Sequence, residues 1–153
     1  MRLALSQANA ASGGNGDDVA GSADVPVGAV VLDRTGEVMG VGHNVREADH
    51  DPTGHAEVVA LRAAGESLHT WRLSGCTLVV TLEPCAMCAG AALLARVDRI
   101  VFGAFDAKAG ACGSVWDLPR DRRALHRAEV VAGVLESQCQ AVLSQFFAAR
   151  RLG

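Results

Sequence analysis

The stretch 52–88 contains three side chains that commonly bind zinc, with a carboxylate close to one of them. His55 offers a nitrogen ligand, and Cys85 and Cys88 offer two sulfur ligands. Three protein ligands leave the fourth corner of a tetrahedral zinc open for water, as catalytic zinc sites require. Glu57 could carry protons to and from that water, whose pKa zinc lowers from roughly 15.7 to about 7. The pattern therefore indicates hydrolytic chemistry at a zinc ion.

The two cysteines are predicted to lie at the start of a helix over 86–95. Cys85 and Cys88 stand at i and i+3, so they share one face if the helix begins at Cys85. Pro84 fits just before or at the first turn, where its missing N–H costs nothing. The positive end of the helix dipole favours the thiolates that zinc requires.

His55 is predicted to open a second helix, over 55–64, because Pro-Thr-Gly at 52–54 is a helix start signal. All three ligands would then lie at helix N-termini and be held by the packed helices behind them. Glu57 points away from the face of this helix that carries His55. That orientation suits a neighbouring proton carrier better than a fourth ligand.

A closed structural zinc site is the alternative for the same residues, with His43, His50 or Cys76 as the fourth ligand. A lone Cys-x-x-Cys would favour that alternative. The upstream His-x-Glu and the proline directly before the first cysteine favour the open, catalytic site instead.

The elements around this motif predict an α/β fold. Helices are expected over 1–11, 55–64, 86–95, 120–125 and 136–151, and strands over 25–32, 37–42, 76–82, 98–104 and 129–134. The first two strands form a hairpin, and strands then alternate with helices, which favours helices on both faces of one sheet. Ligands of such sheets bind beyond the carboxyl ends of strands, where the Cys85 motif begins. We expect a mobile, glycine-rich loop over 12–23 and a long loop over 105–117.

Length and composition favour one cytoplasmic domain with a core of small residues. The 153 residues are 50% hydrophobic but only 4% aromatic, and the net charge is −3. Cys76, Cys112 and Cys139 are most simply buried in that core. The N-terminal apolar run is too short for a signal peptide, and no run approaches the roughly 20 apolar residues of a membrane span. Seven basic and five acidic residues over 105–153 fit either phosphate binding or a solvated face.

In the zinc motif and in several further segments, the chain resembles bacterial tRNA-specific adenosine deaminases of the TadA type, within the cytidine deaminase-like superfamily. His-x-Glu followed by Pro-Cys-x-x-Cys is a signature that many zinc deaminases share. Narrower matches to the TadA type extend over nearly the whole chain, at 24–29, 50–53, 81–91, 101–104, 106–110, 144–147 and 150–151. The chain departs from the family pattern at Phe105, where arginine is common, and at Leu125, where asparagine is common.

The resemblance implies a three-layer α/β/α sandwich with a central, mostly five-stranded mixed sheet, formed by a single zinc-dependent deaminase domain over 1–153. It implies hydrolytic conversion of adenosine to inosine at the wobble position of a tRNA anticodon, with an arginine tRNA as the expected substrate. The expected partners are the tRNA anticodon stem-loop and a second copy of the chain in a homodimer. The resemblance also implies one zinc ion per subunit, a cytoplasmic location and no association with a membrane.

The resemblance also assigns roles to individual residues, with the zinc ligands and the proton carrier as named above. Asn44 matches a residue that hydrogen-bonds the flipped purine, and Val27 and Ala29 match the wall of its pocket. The other substrate contacts that the resemblance implies are Pro84, Asp106, Lys108, Phe147, Arg150 and Arg151.

Two other functions remain open from the sequence. A deaminase of a free base or nucleoside, of the guanine or cytosine type, would share every catalytic residue; the matches at 106–110 and at the C-terminus favour tRNA over it. A non-catalytic, zinc-stabilised RNA-binding module would have no use for a free carboxylate such as Glu57 beside the metal. Simpler roles are also open for single residues. Asn44 could satisfy a loop backbone. At least one of Phe146 and Phe147 is expected to be a core residue.

Overall fold

Strands and helices alternate along most of the chain in the computed structural model, which describes residues 1–12 and 23–151. The helices are α1 (Arg2–Ser12), α2 (Ala56–Leu68), α3 (Ala86–Leu94) and α4 (Glu136–Arg151), with a short 3₁₀ helix at Leu118–Arg120. The strands are β1 (Gly28–Leu32), β2 (Val38–His43), β3 (Thr77–Leu82), β4 (Arg99–Ala104) and β5 (Glu129–Val131). Most of the predicted loop 12–23 lies outside the described residues.

The five strands form one mixed sheet in the order β2-β1-β3-β4-β5. β1 pairs antiparallel with β2, as the predicted hairpin requires, and also antiparallel with β3, whereas β3, β4 and β5 run parallel. α2 and α3 contact each other and pack on one face of the sheet, while α1 and α4 contact each other and pack on the opposite face. The three-layer α/β/α sandwich is therefore confirmed.

The core between α2 and the sheet consists of small side chains. Ala56, Ala60 and Ala64 recur every four residues along α2 and are completely buried, so a stripe of alanines faces the sheet. The three cysteines outside the zinc motif are free and buried, as predicted. Small residues let α2 lie close to the strands beneath it.

Two glycines on β2 bring the backbone of α2 against the strand. A Cβ atom added to Gly42 would lie 2.5 Å from the carbonyl oxygen of Ala56, and one added to Gly40 would collide with that of Ala60. No larger residue fits at either position without moving the helix, because real Cβ contacts are longer than this. β2 thus positions the start of α2, directly after His55.

Several predicted strands are longer than the observed ones. β1 begins at Gly28 and not at Val25, because the N–H of Val27 donates to the carbonyl of Val25 in a tight turn around Pro26. β5 ends at Val131, since Gly133 and Leu135 both adopt positive φ angles, of 75° and 52°. Strand propensity alone does not detect these turns.

The predicted helix over 120–125 is wrong. The helical turn lies earlier, at Leu118–Arg120, with Pro119 near its start. After it, the carboxylate of Asp121 accepts a hydrogen bond from the backbone N–H of Arg123 at 2.8 Å. Such a local side-chain bond competes with helix formation, so the chain turns instead of continuing.

The C-terminal helix α4 covers the predicted range and buries Cys139 and Leu143 against the sheet. Among residues 1–12 and 23–151, none of the helices combines the length and the apolar character needed to cross a membrane.

Candidate active site

His55, Cys85 and Cys88 bring their ligand atoms together just beyond the carboxyl end of β3. The Nδ1 atom of His55 lies 3.7 Å from the Sγ atom of Cys85 and 3.5 Å from that of Cys88. With Zn–S bonds of about 2.3 Å and Zn–N bonds of about 2.0–2.1 Å, a tetrahedral zinc separates nitrogen and sulfur ligands by about 3.5 Å. The three residues therefore fit a zinc ion with one corner open.

A closed structural site finds no support in this arrangement. All three ligand atoms lie within 4.8 Å of one another, and within the described part of the chain no fourth His, Cys, Asp or Glu joins the group. His43, His50 and Cys76, the residues that a closed site would need, lie outside it.

The ligands occupy the starts of two helices, as predicted. His55 is the N-cap of α2 and Cys85 is the N-cap of α3, each with an extended backbone. Cys88 follows inside the first turn of α3, where it is buried. Pro84 directly precedes the N-cap, where its missing N–H removes no helical hydrogen bond. The positive ends of two helix dipoles therefore face the thiolates.

Glu57 lies in the first turn of α2 and lines the same cavity as His55 and Cys85. The residue is only 4% exposed, and burial raises the pKa of its carboxyl to about 7. Such a group can take up or release a proton at neutral pH. Glu57 is not a member of the ligand group, which fits a proton carrier.

The two cysteine ligands differ in acidity. Hydrogen bonds with Cys88 and His55 lower the pKa of Cys85 to about 3, so Cys85 is a thiolate at neutral pH. The bond to Cys85, together with burial, raises the pKa of Cys88. Coordination deprotonates a thiol outright, so zinc would make Cys88 a thiolate as well.

A cavity of about 180 Å³ opens beside the ligands and Glu57. Its other lining residues come from four separate segments and are Val25, Val27, Asn44, Arg46, Leu82, Glu83, Asp106 and Ala109. Three of the predicted substrate contacts, Val27, Asn44 and Asp106, thus line the same cavity as Glu57. Ala29 and Pro84 are completely buried instead.

Asn44 bridges two backbone segments at this cavity. Its Nδ2 group donates to the carbonyl of Val25 at 3.0 Å, and its Oδ1 atom accepts from the N–H of Ala56 at 2.9 Å. Asn44 therefore satisfies loop backbone, the simpler role that the sequence left open. A side-chain amide has a second N–H and a second lone pair, so these bonds use half of its capacity.

The loop after β4 packs on the turn that carries the cysteine ligand. Gly110 forms an isolated antiparallel bridge with Cys85, and the N–H of Ala111 donates to the carbonyl of Pro84 at 2.8 Å. The loop therefore lies directly against the turn that carries Cys85.

Asp106 shapes the exposed tip of that loop. Its carboxylate accepts hydrogen bonds from the N–H groups of Lys108 and Ala109, at 2.9 and 3.2 Å. Lys108 is left exposed, while Ala109 lines the cavity. Phe105, at the family departure, packs edge to face on the buried ring of Phe102, with 5.2 Å between ring centroids.

Two charged residues of the cavity were not predicted. Glu83 is buried between β3 and Cys85, and Arg46 lies in the loop after β2. The signal for Glu83 was present in the sequence, because a carboxylate that ends an apolar strand must find hydrogen-bond donors. Arg46 has no comparable signal in a loop that is polar throughout.

The end of α4 carries the remaining predicted contacts. Phe147 is 45% exposed and Phe146 is half-buried, so the expectation that at least one of them is a core residue is wrong. The physical reason is that α4 meets the sheet only through its first half. The guanidinium of Arg150 stacks 4.3 Å from the Phe146 ring centroid and donates to the carbonyl of Ala23.

The chain is similar to known deaminases in both sequence and structure. The family model of the cytidine and deoxycytidylate deaminase zinc-binding region matches residues 2–104. The tRNA-specific adenosine deaminase of Bacillus subtilis (strain 168) is 50% identical over 124 residues, which are 81% of this chain and 76% of that protein.

Solved structures of two different types of deaminase match the chain to different degrees. A tRNA A34 deaminase, studied for A-to-I editing at the wobble position of transfer RNA, matches with a TM-score of 0.82 and 38% identity, covering 94% of this chain and 97% of that one. A guanine deaminase from Nitrosomonas europaea matches with a TM-score of 0.71 and 26% identity, covering 96% and 80%. Both measures are higher for the tRNA enzyme.

Proposed function

The chain belongs to the tRNA-specific adenosine deaminases, and from this membership we infer that it hydrolyses adenosine to inosine at the wobble position of a tRNA anticodon, with zinc as its cofactor. One observation carries the proposal at the level of chemistry. Three zinc-ligand atoms lie within 4.8 Å of one another, and two of the ligand residues, His55 and Cys85, line a cavity together with Glu57, whose burial raises its pKa to about 7.

We assign the proton transfers to Glu57. When bound by its three ligands, zinc supplies Lewis-acid activation of water at neutral pH. The carboxylate of Glu57 takes the proton that water loses as its oxygen bonds to C6 of adenine, and passes it to the ring nitrogen. Glu57 then transfers the second proton of that water to the departing amine, which leaves as ammonia. A carboxyl with a pKa of about 7 can perform both transfers near neutral pH.

The base is proposed to bind between Val27 and Asn44. Val27 offers an apolar surface, and Asn44 retains hydrogen-bonding capacity for a purine edge. Ala29 and Pro84 are buried, so the contribution we propose for them is to the shape of the wall.

The RNA around the base is proposed to contact two groups of surface residues. Asp106 and Lys108 lie on the loop after β4, and Phe147, Arg150 and Arg151 lie at the end of α4. An exposed aromatic ring can stack on an unpaired base, and cations neutralise phosphates. The contact of Arg150 with Ala23, just before Val25 of the cavity, supports placing this helix end beside the site.

The proposal is tested by incubating the purified protein with an anticodon stem-loop that carries adenosine at the wobble position, and separately with adenine, guanine, cytosine and their nucleosides. We expect inosine in the stem-loop and no change in the free compounds. Turnover of guanine or cytosine with an unchanged stem-loop would keep the zinc chemistry and overturn the tRNA substrate. Stem-loops of an arginine tRNA and of other tRNAs, compared at equal concentration, test our finer proposal of an arginine tRNA.

We further propose that two copies of the chain form a homodimer. Leu94 and Leu125 are 68% and 88% exposed beside one groove between α3 and residues 118–126, and neighbouring exposed apolar side chains of this kind mark interaction surfaces. A second copy would cover them. Light scattering should then give the mass of a dimer, and Leu94→Asp with Leu125→Asp should give that of a monomer. A monomeric parent protein would contradict the proposal.

A single deaminase domain over 1–153, working in the cytoplasm, is also proposed. The family model covers residues 2–104, and β5 and α4 complete the same sheet and the same outer layer. Reduced cysteine ligands and a tRNA substrate suit the cytoplasm. The location is tested by fractionating cells that express the full chain. We expect the protein in the cytosol, together with the tRNA-processing enzymes.

A further inference from the structure

Glu83 is a carboxylate buried between the zinc-binding turn and the loop after β4, with only 2% of the residue exposed. Its Oε1 atom accepts hydrogen bonds from the N–H groups of Cys112 and Ser114, at 3.1 and 3.0 Å. Its Oε2 atom accepts from the N–H of Asp106 at 3.0 Å and from the hydroxyl of Ser114. These four bonds fill the acceptor sites of a carboxylate.

All the donors to Glu83 come from the loop after β4. Within residues 1–12 and 23–151, no ion pair includes Glu83. A buried carboxylate without a cation depends on such hydrogen bonds, and those to a charged acceptor are stronger than neutral ones. Burial of Glu83 and the conformation of the loop therefore depend on each other.

The bonds hold both ends of the segment 106–114 while its middle faces the substrate cavity. Asp106 and Ser114 are the anchored ends, and Ala109 lines the cavity between them. Gly110 packs directly on the carboxylate, since a Cβ there would collide with Glu83 and lie 2.6 Å from the carbonyl of Asp106. Because Glu83 directly follows strand β3 and comes two residues before Cys85, one residue joins this wall to the turn that carries the zinc ligand.

We propose that Glu83 is a positioning residue, which sets the distance between the segment 106–114 and the zinc ligands so that this wall meets the substrate base. The inference deepens the tRNA deaminase function proposed above and rests on it. It assigns Glu83 no proton transfer and no metal contact. Its action is through Asp106 and Ala109, the cavity residues that its hydrogen bonds hold in place.

Glu83→Gln tests the proposal with little change of shape. The side-chain nitrogen of the new glutamine is a hydrogen-bond donor and cannot accept a bond. It would therefore face donor groups of the loop, which it repels. We expect the amides of Asp106, Cys112 and Ser114 to exchange hydrogen faster than in the parent protein. We also expect kcat/KM for the stem-loop to fall by about 10- to 100-fold, mainly through KM, with zinc content unchanged.

Asp33→Asn is the matched control. The carboxylate of Asp33 likewise accepts bonds from the N–H groups of Thr35 and Glu37, at 2.8 and 2.9 Å, and from the Thr35 hydroxyl. It lies in the β1–β2 turn, at the end of the sheet far from the zinc ligands. In Asp33→Asn we expect faster hydrogen exchange at the amides of residues 35 and 37, with kcat/KM for the stem-loop unchanged. This result would show that loosening a turn elsewhere does not impair catalysis, whereas loosening the loop held by Glu83 does.

Gly110→Ala approaches the same contact from the loop side and leaves Glu83 intact. The added methyl group would displace the loop, so the same rise in KM at normal zinc content is expected. The proposal is overturned if Glu83→Gln leaves amide exchange or kcat/KM unchanged, or if it loses zinc, which would place Glu83 in the support of the metal turn. Amide exchange needs no substrate, so this result stays distinct from a failure of the tRNA assignment.

Discussion

Whereas His55, Glu57 and Cys88 lie at the starts of helices packed on the sheet, Lys108, Phe147 and Arg151 lie exposed on a loop and at the end of α4. The first group is held by burial and by the helices behind it. The second is held mainly by local contacts, such as the bond from the N–H of Lys108 to Asp106 and that from Arg151 to the carbonyl of Phe147. The proposed catalytic group is therefore set by packing over the whole α/β sandwich, while the proposed RNA-facing group depends on local segments.

This difference predicts two kinds of response to substitution. Changes in the catalytic group should remove a chemical step or the metal itself. Changes in the RNA-facing group should alter affinity in smaller increments, because interactions of solvent-exposed charges are weak. The following predictions test that division, beginning with the largest effect.

Cys88→Ala should abolish both zinc binding and turnover, because it removes a buried ligand, and among residues 1–12 and 23–151 no fourth His, Cys, Asp or Glu joins the ligand group to replace it. Cys139→Ala is the matched control, since Cys139 is an equally buried cysteine of α4 outside the ligand group, and it should keep zinc. Metal analysis of the purified variants is the measurement. Full zinc occupancy in Cys88→Ala would mean that another set of ligands binds the metal.

Glu57→Gln should keep zinc and lower kcat by about 10²- to 10⁴-fold, the usual contribution of a general acid–base group. The substituted amide fits the same space but cannot carry a proton. Single-turnover assays on the stem-loop, with metal analysis of the same sample, give both quantities. Normal turnover in this variant would exclude Glu57 as the proton carrier.

Arg150→Gln and Arg151→Gln should raise KM for the stem-loop and leave zinc content and kcat nearly unchanged. If each cation neutralises one phosphate, each variant lowers the slope of log affinity against log salt by about 1. Arg72→Gln is the control, since Arg72 is an exposed cation that stacks on Trp71 beyond the C-terminal end of α2. Identical salt slopes in all three variants would remove the end of α4 from the RNA interface.

The smallest response is expected from a buried thiol that lies near the site but outside the ligand group. Burial raises the pKa of Cys112 to about 12, so its thiol stays protonated through neutral pH and becomes reactive only as the pH approaches that value. Cys85, whose pKa is lowered to about 3, should react with iodoacetamide at pH 7 once a chelator has removed zinc. Peptide mass spectrometry after labelling distinguishes the two. Rapid labelling of Cys112 at pH 7 would show that the loop opens.

The chelator in that experiment also tests whether zinc is catalytic. Removal of a structural zinc unfolds a small domain, whereas removal of a catalytic one leaves a folded, inactive chain. Circular dichroism of the chelated protein should therefore match that of the parent. Zinc added back should restore turnover, and unfolding on chelation would favour the RNA-binding module.

The ligand set and the sandwich could be predicted because both depend on short-range patterns. The spacing of Cys85 and Cys88 places both at the start of one helix, and alternation of apolar strands with helices specifies the layers. The boundaries were less accurate. The turn at Pro26 and the side-chain bond of Asp121 both end elements that propensity alone would extend.

The role of Glu83 could not be predicted, because its partners Asp106, Cys112 and Ser114 lie 23, 29 and 31 residues away along the chain. Only the folded loop brings these donors to one carboxylate. Phe146 and Phe147 show the opposite error, in which an apolar stripe on α4 was extended past the point where the helix leaves the sheet. A periodic pattern shows which face of a helix is apolar, but not where its neighbour ends.

The contact between β2 and α2 has a consequence for how this chain can evolve. Gly40 and Gly42 touch no ligand, yet any side chain there displaces the helix that begins after His55. A saturation library scored for zinc retention should therefore tolerate almost no replacement at these two positions. It should accept many at Arg150 and Arg151, whose side chains are exposed. Part of the heritable constraint on metal binding thus falls on two residues that would never appear in a description of the metal site.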